Sequence, residues 1–581
     1  MVRQEILRLV RKAAERAFPS FDPEKVSLEH PEDIAHGDYA TGIALALASQ
    51  TKENPGGLAQ ALAAELEKEQ SPLIEKAEVA GPGFVNIFLN PEALYRILLD
   101  FSQGVYGQSK KQKRVIIEYS SPNIAKRFGI GHLRSTIIGD ALYRMQEFLG
   151  YETIGINHLG DWGTPHGIVL YQVQKHFLTG KEEQEVDSIL SQLTVGQLED
   201  LYVRFNTEAE SNPELKEQAK AWFKKLEQGD KRARHIWEYA RKVSSQEFER
   251  IYARLGVHIE HVLGESFYED KMKDVVEKFK KKGLARKSEG ALIVEFEHMP
   301  PAMLLKSDGT TTYFTRDLAA MNYRINTWKP HKLIIETGME QNLHFRQVFE
   351  ASRQIGWAEN VELAHVGHGM YRLAEGKFST RKGRTIHLEE VLNEAEERAR
   401  LLVATSESEA EFTEQEQKEI AAMVGVGGVK YNDLMHNPQG DVLFDWDRVL
   451  NLKGNSGPYI QYAYARSRSI LRQAELKEGS LPEASLKLAP GKVSPEEERI
   501  LRLLYRFPEV VQDAVDSYAP NMLCEFLFDL AQKYNVFYNT HRVLEAATKE
   551  QKEFRLFMTA SVARVLKDGL ALLGIQSPER M

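Results

Sequence analysis

Apolar positions near the N-terminus recur every three or four residues, which predicts an amphipathic helix over residues 1–18. A second helix, rich in alanine and leucine, is predicted over residues 57–69. The stretch AEVAGPGFVNIFL at residues 77–89 is rich in β-branched and aromatic residues and predicts a strand. Residues 1–108 are therefore predicted to form a small α+β domain, and the charged run at residues 110–114 a solvated linker.

Short apolar runs alternate with helical periodicity in the middle of the chain, which is typical of a parallel α/β sheet. Four strands are predicted, over residues 114–119, 153–156, 332–336 and 362–366. A helix that starts at the turn Gly131-His132 separates the first two, so this order predicts a Rossmann-like sheet with its ligand site at the carboxyl ends of the strands. Residues 109–395 are assigned to this domain, with a charged helical insertion at about residues 183–285.

The periodicity from about Leu388 to the end is almost wholly helical. Residues 396–455 are predicted to be a helical connector and residues 456–581 a helical bundle, so the fold class is multidomain α/β plus α. The run Gly425-Val-Gly-Gly428 lies within this helical pattern, and we interpret it as close helix packing rather than a phosphate loop.

Composition narrows the classes of function. The 581 residues are 42% hydrophobic and 27% charged, with a net charge of −9, so a nucleic-acid partner cannot be inferred from global charge. The single cysteine, Cys524, excludes disulfides within the chain and a cysteine-rich zinc site. His365 and His368 have no third ligand nearby in the sequence, so we expect no metal there. No apolar run is long enough for a membrane span, and a cytoplasmic location is expected.

Two distant segments are interpreted as halves of one nucleotide site. The first is SSPNIAKRFGIGHLRST at residues 120–136, and the second is KFSTRKG at residues 377–383. Gly131 allows a close approach of the backbone, the following helix offers free N–H groups to phosphate, and His132 can donate a hydrogen bond. The second segment is a basic loop, although three cations in a loop are more often a solvated face. No P-loop pattern is present.

Together with these segments, several others resemble the arginyl-tRNA synthetases, a class I family with two hallmark motifs known as HIGH and KMSKS. The resemblance rests on residues 118–126, 131–136, 158–163, 313–317, 341–344, 378–383, 445–446, 454–455, 458–462 and 579–581, in the order of that family. It implies ATP-dependent formation of arginyl-adenylate, then transfer of arginine to the 3′-terminal adenosine of tRNA(Arg). It also implies activation that requires bound tRNA, and the ribose 2′-hydroxyl as acceptor.

The resemblance also implies roles for individual residues. Tyr313 and Asp317 hold the guanidinium side of arginine, and Glu118, Ser121, Asn123 and Gln341 hold its other end or its surroundings. Carboxylates suit a planar cation with five donors, although Glu118 and Asp317 are also explained as structural ion-pair partners. ATP is expected against Gly129, Gly131, His132, Gly160, Asp161, His368, Gly369 and Met370. The catalytic set is Lys126, His132, Lys377, Ser379, Thr380, Arg381 and Lys382. The HIGH-like motif comprises Pro122, Asn123, Ile124, Ala125, Lys126, Arg127, Phe128, Gly129, Ile130, Gly131 and His132.

For tRNA, the resemblance assigns the first domain to the D-loop and the last to the anticodon. Phe84 and Asn86 combine stacking with an amide that reads a base edge, although a core Phe and a strand-end Asn are an equal alternative. Tyr459 and Met581 are the candidates in the last domain, with Tyr462, Tyr534 and Tyr538 as further aromatic residues. Helical core positions explain most of these tyrosines as well.

Two positions depart from the hallmark motifs, and many members of the family share the second departure. Gly129 occupies the place of the first histidine of the HIGH motif, and Thr380 that of the second lysine of KMSKS. Lys126 is then expected to carry more of the phosphate stabilisation. Gly129 also motivates an alternative, a non-catalytic or regulatory tRNA-binding paralogue, and a class I enzyme for another amino acid is a third hypothesis.

The expected ligands and partners are ATP with Mg²⁺ bound to its phosphates, L-arginine and tRNA(Arg). No zinc and no organic cofactor is expected. The resemblance further implies a monomer and no membrane partner.

Overall fold

A computed structural model of the chain describes residues 1–31, 33–102, 111–373, 386–404, 412–476 and 493–581. Its α-helices are α1 (Val2–Ala17), α2 (Ile43–Thr51), α3 (Pro55–Glu67), α4 (Pro91–Ser102), α5 (Gly131–Phe148), α6 (Thr164–Val173), α7 (Glu183–Leu190), α8 (Val195–Ser211), α9 (Glu214–Glu227), α10 (Lys231–Leu255), α11 (Met272–Lys281), α12 (Tyr313–Trp328), α13 (Asn342–Gln354), α14 (Leu388–Ala404), α15 (Glu414–Leu434), α16 (Trp446–Val449), α17 (Gly457–Gln473), α18 (Pro495–Leu504), α19 (Phe507–Asp516), α20 (Asn521–Thr540) and α21 (Lys549–Leu572). Its strands are β1 (Tyr39–Thr41), β2 (Ile74–Ala80), β3 (Phe84–Leu89), β4 (Arg114–Glu118), β5 (Glu152–Asn157), β6 (His261–Val262), β7 (Ala285–Ser288), β8 (Ala291–Val294), β9 (Ala302–Leu305), β10 (Lys332–Gly338), β11 (Glu362–His368), β12 (Tyr371–Leu373) and β13 (Val442–Phe444).

The N-terminal region is a three-stranded antiparallel sheet in the order β1-β3-β2, packed against α1 and α3. Both predicted helices form. The single strand predicted over residues 77–89 is wrong, because the chain reverses there and makes a hairpin of β2 and β3. Gly81 and Gly83 have φ angles of 53° and 155°, which favour glycine. The turn signal Gly-Pro-Gly inside the apolar run therefore outweighs the continuity of that run.

The central sheet is parallel, in the order β11-β10-β4-β5-β6, and all four predicted strands are present. Its fifth strand, β6, was not predicted, because two residues give no periodicity. Since β4 lies between β10 and β5, its carboxyl end at Glu118 sits at the middle of the sheet edge. The sequence therefore correctly predicted a Rossmann-like parallel sheet.

The charged stretch that follows α6 is helical over α7 to α10, and its apolar side chains form a cluster of their own with Trp162. The stretch predicted as a helical insertion also contains β6 and the start of β7. Strands β7, β8 and β9 form a small antiparallel sheet in that order. None of the described helices is long and apolar enough to cross a membrane.

The C-terminal region is helical as predicted, apart from the short strand β13, which pairs in parallel with β12. A Cβ atom added to Gly425 in α15 would lie 2.7 Å from the carbonyl oxygen of Ala395 in α14. The glycine run therefore allows close packing of these helices, as the sequence predicted.

Candidate active site

The loops that leave β4 and β5 lie side by side at the carboxyl edge of the sheet. Asn123 and Gly160 form a parallel bridge, in which Gly160 N donates to the carbonyl of Pro122 at 3.0 Å and Ile124 N donates to the carbonyl of Gly160 at 3.1 Å. A Cβ on Gly160 would lie 2.0 Å from Oδ1 of Asn123, so only glycine fits beside this amide. The structure thus brings together the two signature segments at residues 120–136 and 158–163.

Backbone conformation in the first segment is strained at three residues. Ser120, Ser121 and Ala125 have φ angles of 74°, 48° and 58°, which side chains rarely adopt. Ser120 is fixed there, since its Oγ lies 2.8 Å from Thr136 Oγ1 and 2.7 Å from the hydroxyl of Tyr252. Strain held in place by such bonds is typical of a binding loop.

Two polar side chains in that segment take no part in the hydrogen bonds that fix Ser120. The Oγ of Ser121 is buried without a hydrogen-bond partner among the described residues, and Asn123 is exposed. Both were predicted to bind arginine, and both are free to bind a ligand.

The N-terminus of α5 faces the same edge. Gly131 is exposed with no atom within 4 Å of an added Cβ, so the first turn of the helix is open to a ligand. Gly129 is buried in an antiparallel bridge with His387, and its N–H lies 3.3 Å from Nδ1 of His132. Burial, with the charge of Lys126, lowers the pKa of His132 to about 4. His132 is therefore neutral near pH 7 and acts as a hydrogen-bonding group.

Next to this turn, the two basic residues of the motif contact α8. Nζ of Lys126 lies 4.7 Å from the centre of the Tyr202 ring, and Nε of Arg127 lies 2.7 Å from Oε2 of Glu199. The HIGH-like motif is thus held by the insertion as well as by the sheet.

On the other side of the edge, Asp317 in α12 lies between two histidines. Its Oδ2 is 2.6 Å from Nε2 of His344, and its Oδ1 is 3.9 Å from Nε2 of His158. Burial favours a raised pKa, but the hydrogen bond and charge of His344 outweigh it and lower the pKa of Asp317. Asp317 is therefore an anion that retains some exposure, as a site for a cationic side chain requires.

Tyr313 and Gln341 flank this carboxylate. Tyr313 begins the same helix and is 61% exposed, and Gln341 is exposed at the start of α13, the helix that carries His344. Tyr313 and Asp317 thus share α12, and Gln341 begins the helix whose His344 bonds to Asp317.

Glu118 is placed differently. Its buried carboxylate forms an ion pair with Arg324, which the sequence analysis did not identify. Nη2 of Arg324 also lies 3.2 Å from Nδ1 of His158. Because a guanidinium only donates, Nδ1 must accept, so the proton of a neutral His158 sits on Nε2, toward Asp317. Arg324 follows Asp317 by seven residues, which places both on one face of α12, but no pattern in the sequence pairs Arg324 with Glu118.

The residues expected around ATP fall into two groups. His368 Nδ1 lies 2.7 Å from Oε1 of Glu336, and Met370 is exposed. Burial alone lowers the pKa of His368, but the charge of Glu336 outweighs it and raises this pKa. Gly369 lies so close to Gly440 that an added Cβ would be 2.5 Å from its carbonyl oxygen.

In contrast, Asp161 is fully buried, and its carboxylate accepts bonds from the N–H and Oγ of Ser266 and pairs with Arg241. The carboxylate of Asp161 therefore holds loops together rather than facing the open edge.

His365 and His368 each contact a different side chain. His365 contacts Thr337 and His368 contacts Glu336, and the described residues contain no group of three or more potential metal ligands. The predicted basic loop, with Lys377, Ser379, Thr380, Arg381 and Lys382, lies outside the described residues.

The candidates for tRNA binding differ in exposure. Phe84 and Asn86 lie on one face of β3, and Val85 and Ile87 on the other face are fully buried in the core. The structure therefore places the pair away from that core, although Asn86 itself is largely buried.

In the C-terminal helices, Tyr459 packs on Phe528 and accepts a bond from Asn535, and it is half-buried against the core. Met581 instead lines a cleft with Tyr462, Tyr538 and several arginines. The guanidinium of Arg466 lies 4.7 Å from the ring centre of each of these two tyrosines. The cleft is thus aromatic and basic, as a surface for bases and phosphates requires.

Comparison with protein families defines the class of the molecule. The catalytic-domain model of class I (R) tRNA synthetases matches residues 94–446, which include the whole parallel sheet. The model of the arginyl-tRNA synthetase N-terminal domain matches residues 4–89, and that of the DALR anticodon-binding domain matches residues 460–581.

Curated relatives are similar along nearly the whole chain. Arginine–tRNA ligase of Chloroflexus aggregans is 39% identical over 91% of both chains, and that of Halothermothrix orenii is 38% identical over 95% of both. The crystal structure of arginyl-tRNA synthetase from Plasmodium falciparum has a TM-score of 0.85 at 26% identity and covers 100% of this chain and 99% of its own. The chain belongs to the arginyl-tRNA synthetase family. Nothing in these comparisons supports the alternative of a non-catalytic paralogue.

Proposed function

We propose that this protein attaches L-arginine to tRNA(Arg) in two steps at the carboxyl edge of the central sheet. A carboxylate oxygen of arginine attacks the α-phosphorus of ATP, pyrophosphate leaves, and arginyl-adenylate forms. The 2′-hydroxyl of the terminal adenosine then attacks the arginyl carbonyl carbon and releases AMP. The observation that carries the proposal is the anionic Asp317, held between His344 and His158 on the sheet edge where α5 begins.

Asp317 is proposed to bind the guanidinium of arginine, with Tyr313 and Gln341 at its sides. His344 occupies Oδ2, which leaves Oδ1 for a substrate cation. Because Arg324 already neutralises Glu118, this second carboxylate acts through its fixed position rather than as a free anion. Ser121 and Asn123 are proposed to meet the amino and carboxyl end of the substrate.

The ATP phosphates are proposed to lie against the first turn of α5. Charge on the phosphate oxygens grows in the transition state, so positioning and cations should dominate the catalysis. Lys126 and His132 stand at this turn, and we propose that the cations Lys377, Arg381 and Lys382 also stabilise the phosphates. Class membership implies ATP as a substrate, and we propose that Mg²⁺ enters bound to its phosphates.

For tRNA, we propose that the outer face of β3 with Phe84 contacts a loop base and that the cleft with Met581 receives the anticodon. Activation is proposed to require bound tRNA, and the protein to act as a monomer in the cytoplasm.

The function is tested by charging of tRNA with radiolabelled arginine, with citrulline and lysine as competing amino acids. Arginine alone should be attached, because an anionic Asp317 binds a cationic guanidinium much more strongly than the neutral urea group of citrulline. Charging with another amino acid in preference to arginine would contradict the proposal.

A further inference from the structure

Two neighbouring residues of the motif before α5 contact the helical insertion, and the two contacts are of different kinds. Arg127 makes an ion pair with Glu199, while Lys126 lies over the ring of Tyr202. Glu199 and Tyr202 are three residues apart and share one face of α8. The preceding residue is fixed as well, since Ala125 N donates to Oγ of Ser244 in α10 at 2.8 Å.

The partners of Arg127 and Lys126 differ in whether they neutralise the cation that they contact. A carboxylate neutralises the cation that it binds, and a phosphate would have to displace it. An aromatic ring attracts the same cation by its quadrupole, worth about 0.5–2 kcal/mol, and adds no negative charge. Lys126 makes no ion pair with any residue in the described part of the chain, so its charge is left for a ligand.

The charge of Lys126 also reaches the catalytic turn. It contributes to the lowered pKa values of His132 and of His166, both of which fall to about 4. These histidines begin α5 and α6, the helices that follow the two loops at the sheet edge. The lysine therefore lies within electrostatic range of the open helix N-terminus where a phosphate would bind.

We propose that Tyr202 is a positioning residue for adenylate formation, which holds Lys126 beside the phosphate site without neutralising it. This inference rests on the proposed function, since it assigns to Lys126 the stabilisation of ATP phosphates. The ring restricts a flexible four-carbon side chain before the substrate arrives, so less entropy is lost when Lys126 meets the phosphate. The helical insertion thus takes part in catalysis without touching the reacting atoms.

The test is ATP–pyrophosphate exchange with arginine and cognate tRNA, on wild type, Tyr202→Phe, Tyr202→Leu, Lys126→Met and the double variant Lys126→Met/Tyr202→Leu. Tyr202→Leu should lower kcat about 2- to 30-fold, and Tyr202→Phe should keep the wild-type rate, because the ring suffices. The KM for arginine should not change. In the Lys126→Met background, which itself should lose about 100- to 1000-fold, Tyr202→Leu should add no further loss.

A matched control is Tyr171→Leu. Tyr171 is likewise half-buried, on α6, with Nζ of Lys175 5.6 Å from its ring centre, but neither residue belongs to the site. The control Tyr171→Leu should leave kcat unchanged. If Tyr202→Leu fails to fold, Tyr202→Met takes its place. Equal kcat in Tyr202→Leu and wild type, or a further loss of kcat in the double variant, would overturn the inference about Tyr202. The proposed function would still stand if the wild type catalyses exchange and Lys126→Met loses it. A wild type without exchange would overturn the proposed function itself.

Discussion

At the scale of single residues, two histidines near the phosphate site are held in opposite states. Burial lowers the pKa of His132 to about 4, whereas Glu336 raises that of His368. At pH 7 the first is neutral, and the second gains positive charge relative to an ordinary histidine. A neutral donor and a partly cationic one thus stand on the two sides of the sheet edge.

Replacing Glu336 by Gln should return the pKa of His368 below its ordinary value, because burial and the charge of Arg134 then outweigh the weaker effect of Asp433. Since the folded pKa is raised, the pair stabilises the fold fully below about pH 6.5 and loses this contribution as pH rises through the raised pKa. NMR titration of the histidine ring protons measures the shift, with His132 as the internal reference. An unchanged titration of His368 would contradict the assigned partner.

Asp317→Asn should raise the KM for arginine far more than the KM for ATP. The substitution preserves the shape and removes the charge that attracts the guanidinium, and loss of a charge-assisted bond costs about 1.5–3 kcal/mol, or roughly 10- to 150-fold. Steady-state exchange kinetics with each substrate varied in turn separates the two constants. Equal increases in both would remove Asp317 from the arginine pocket.

At the scale of elements, periodicity predicted the long helices and the four longer parallel strands correctly. It missed β6, which is two residues long, and it read the β2–β3 hairpin as one strand. The strand β6 depends on pairing with the distant β5, whereas the hairpin follows from the Gly-Pro-Gly turn, a local signal that outweighs the continuous apolar run. The glycine run in α15 was interpreted correctly because helical periodicity continued through it on both sides.

Gly425→Ala should lower the free energy of unfolding by about 1–3 kcal/mol, because the new methyl group meets the backbone of Ala395 at 2.7 Å. The matched control is Gly57→Ala in α3, where an added Cβ has nothing within 4 Å. There the substitution should stabilise by about 0.5 kcal/mol through helix propensity. Urea unfolding of both variants tests the pair, and equal effects would contradict close packing of α14 on α15.

At the scale of the whole molecule, hydrogen bonds to the buried carboxylate of Glu509 link the N-terminal region to the C-terminal helices. Glu509 in α19 accepts bonds from the backbone N–H of Arg3 at 2.7 Å and the hydroxyl of Tyr39 at 2.9 Å, and lies 3.0 Å from His30. Asp38 and Arg502 form a second ion pair across the same interface. The proposed contacts to two parts of tRNA thus belong to mechanically connected domains.

Glu509→Ala should therefore destabilise the protein by about 3–5 kcal/mol, since it removes the carboxylate that bonds to the buried hydroxyl of Tyr39 and to the part-buried Arg3 N–H and His30 ring. Asp516→Asn on the same helix is exposed and should change stability by less than about 0.5 kcal/mol. Thermal unfolding compares them. A small effect of Glu509→Ala would mean that the two domains are not coupled through this carboxylate.

Long-range partners also explain which parts of the site sequence reasoning could find. Asp317, Tyr313 and Gln341 were identified because they lie in recognisable short segments. Arg324, the partner of Glu118, stands 206 residues away in sequence, and no local pattern links them. Tyr202 and Glu509 also act on residues that are distant in the sequence, so their roles follow only from the folded arrangement.

We propose that the residues at this sheet edge form arginyl-adenylate, although Gly129 replaces the first histidine of the HIGH motif. ATP–pyrophosphate exchange, with arginine as the amino acid and with and without cognate tRNA, tests it most directly, on wild type and Gly129→His. We expect arginine-dependent exchange by the wild type that requires tRNA, and similar or faster exchange by Gly129→His. Absence of exchange by the wild type together with its restoration in Gly129→His, or exchange with leucine or cysteine but not arginine, would contradict the account.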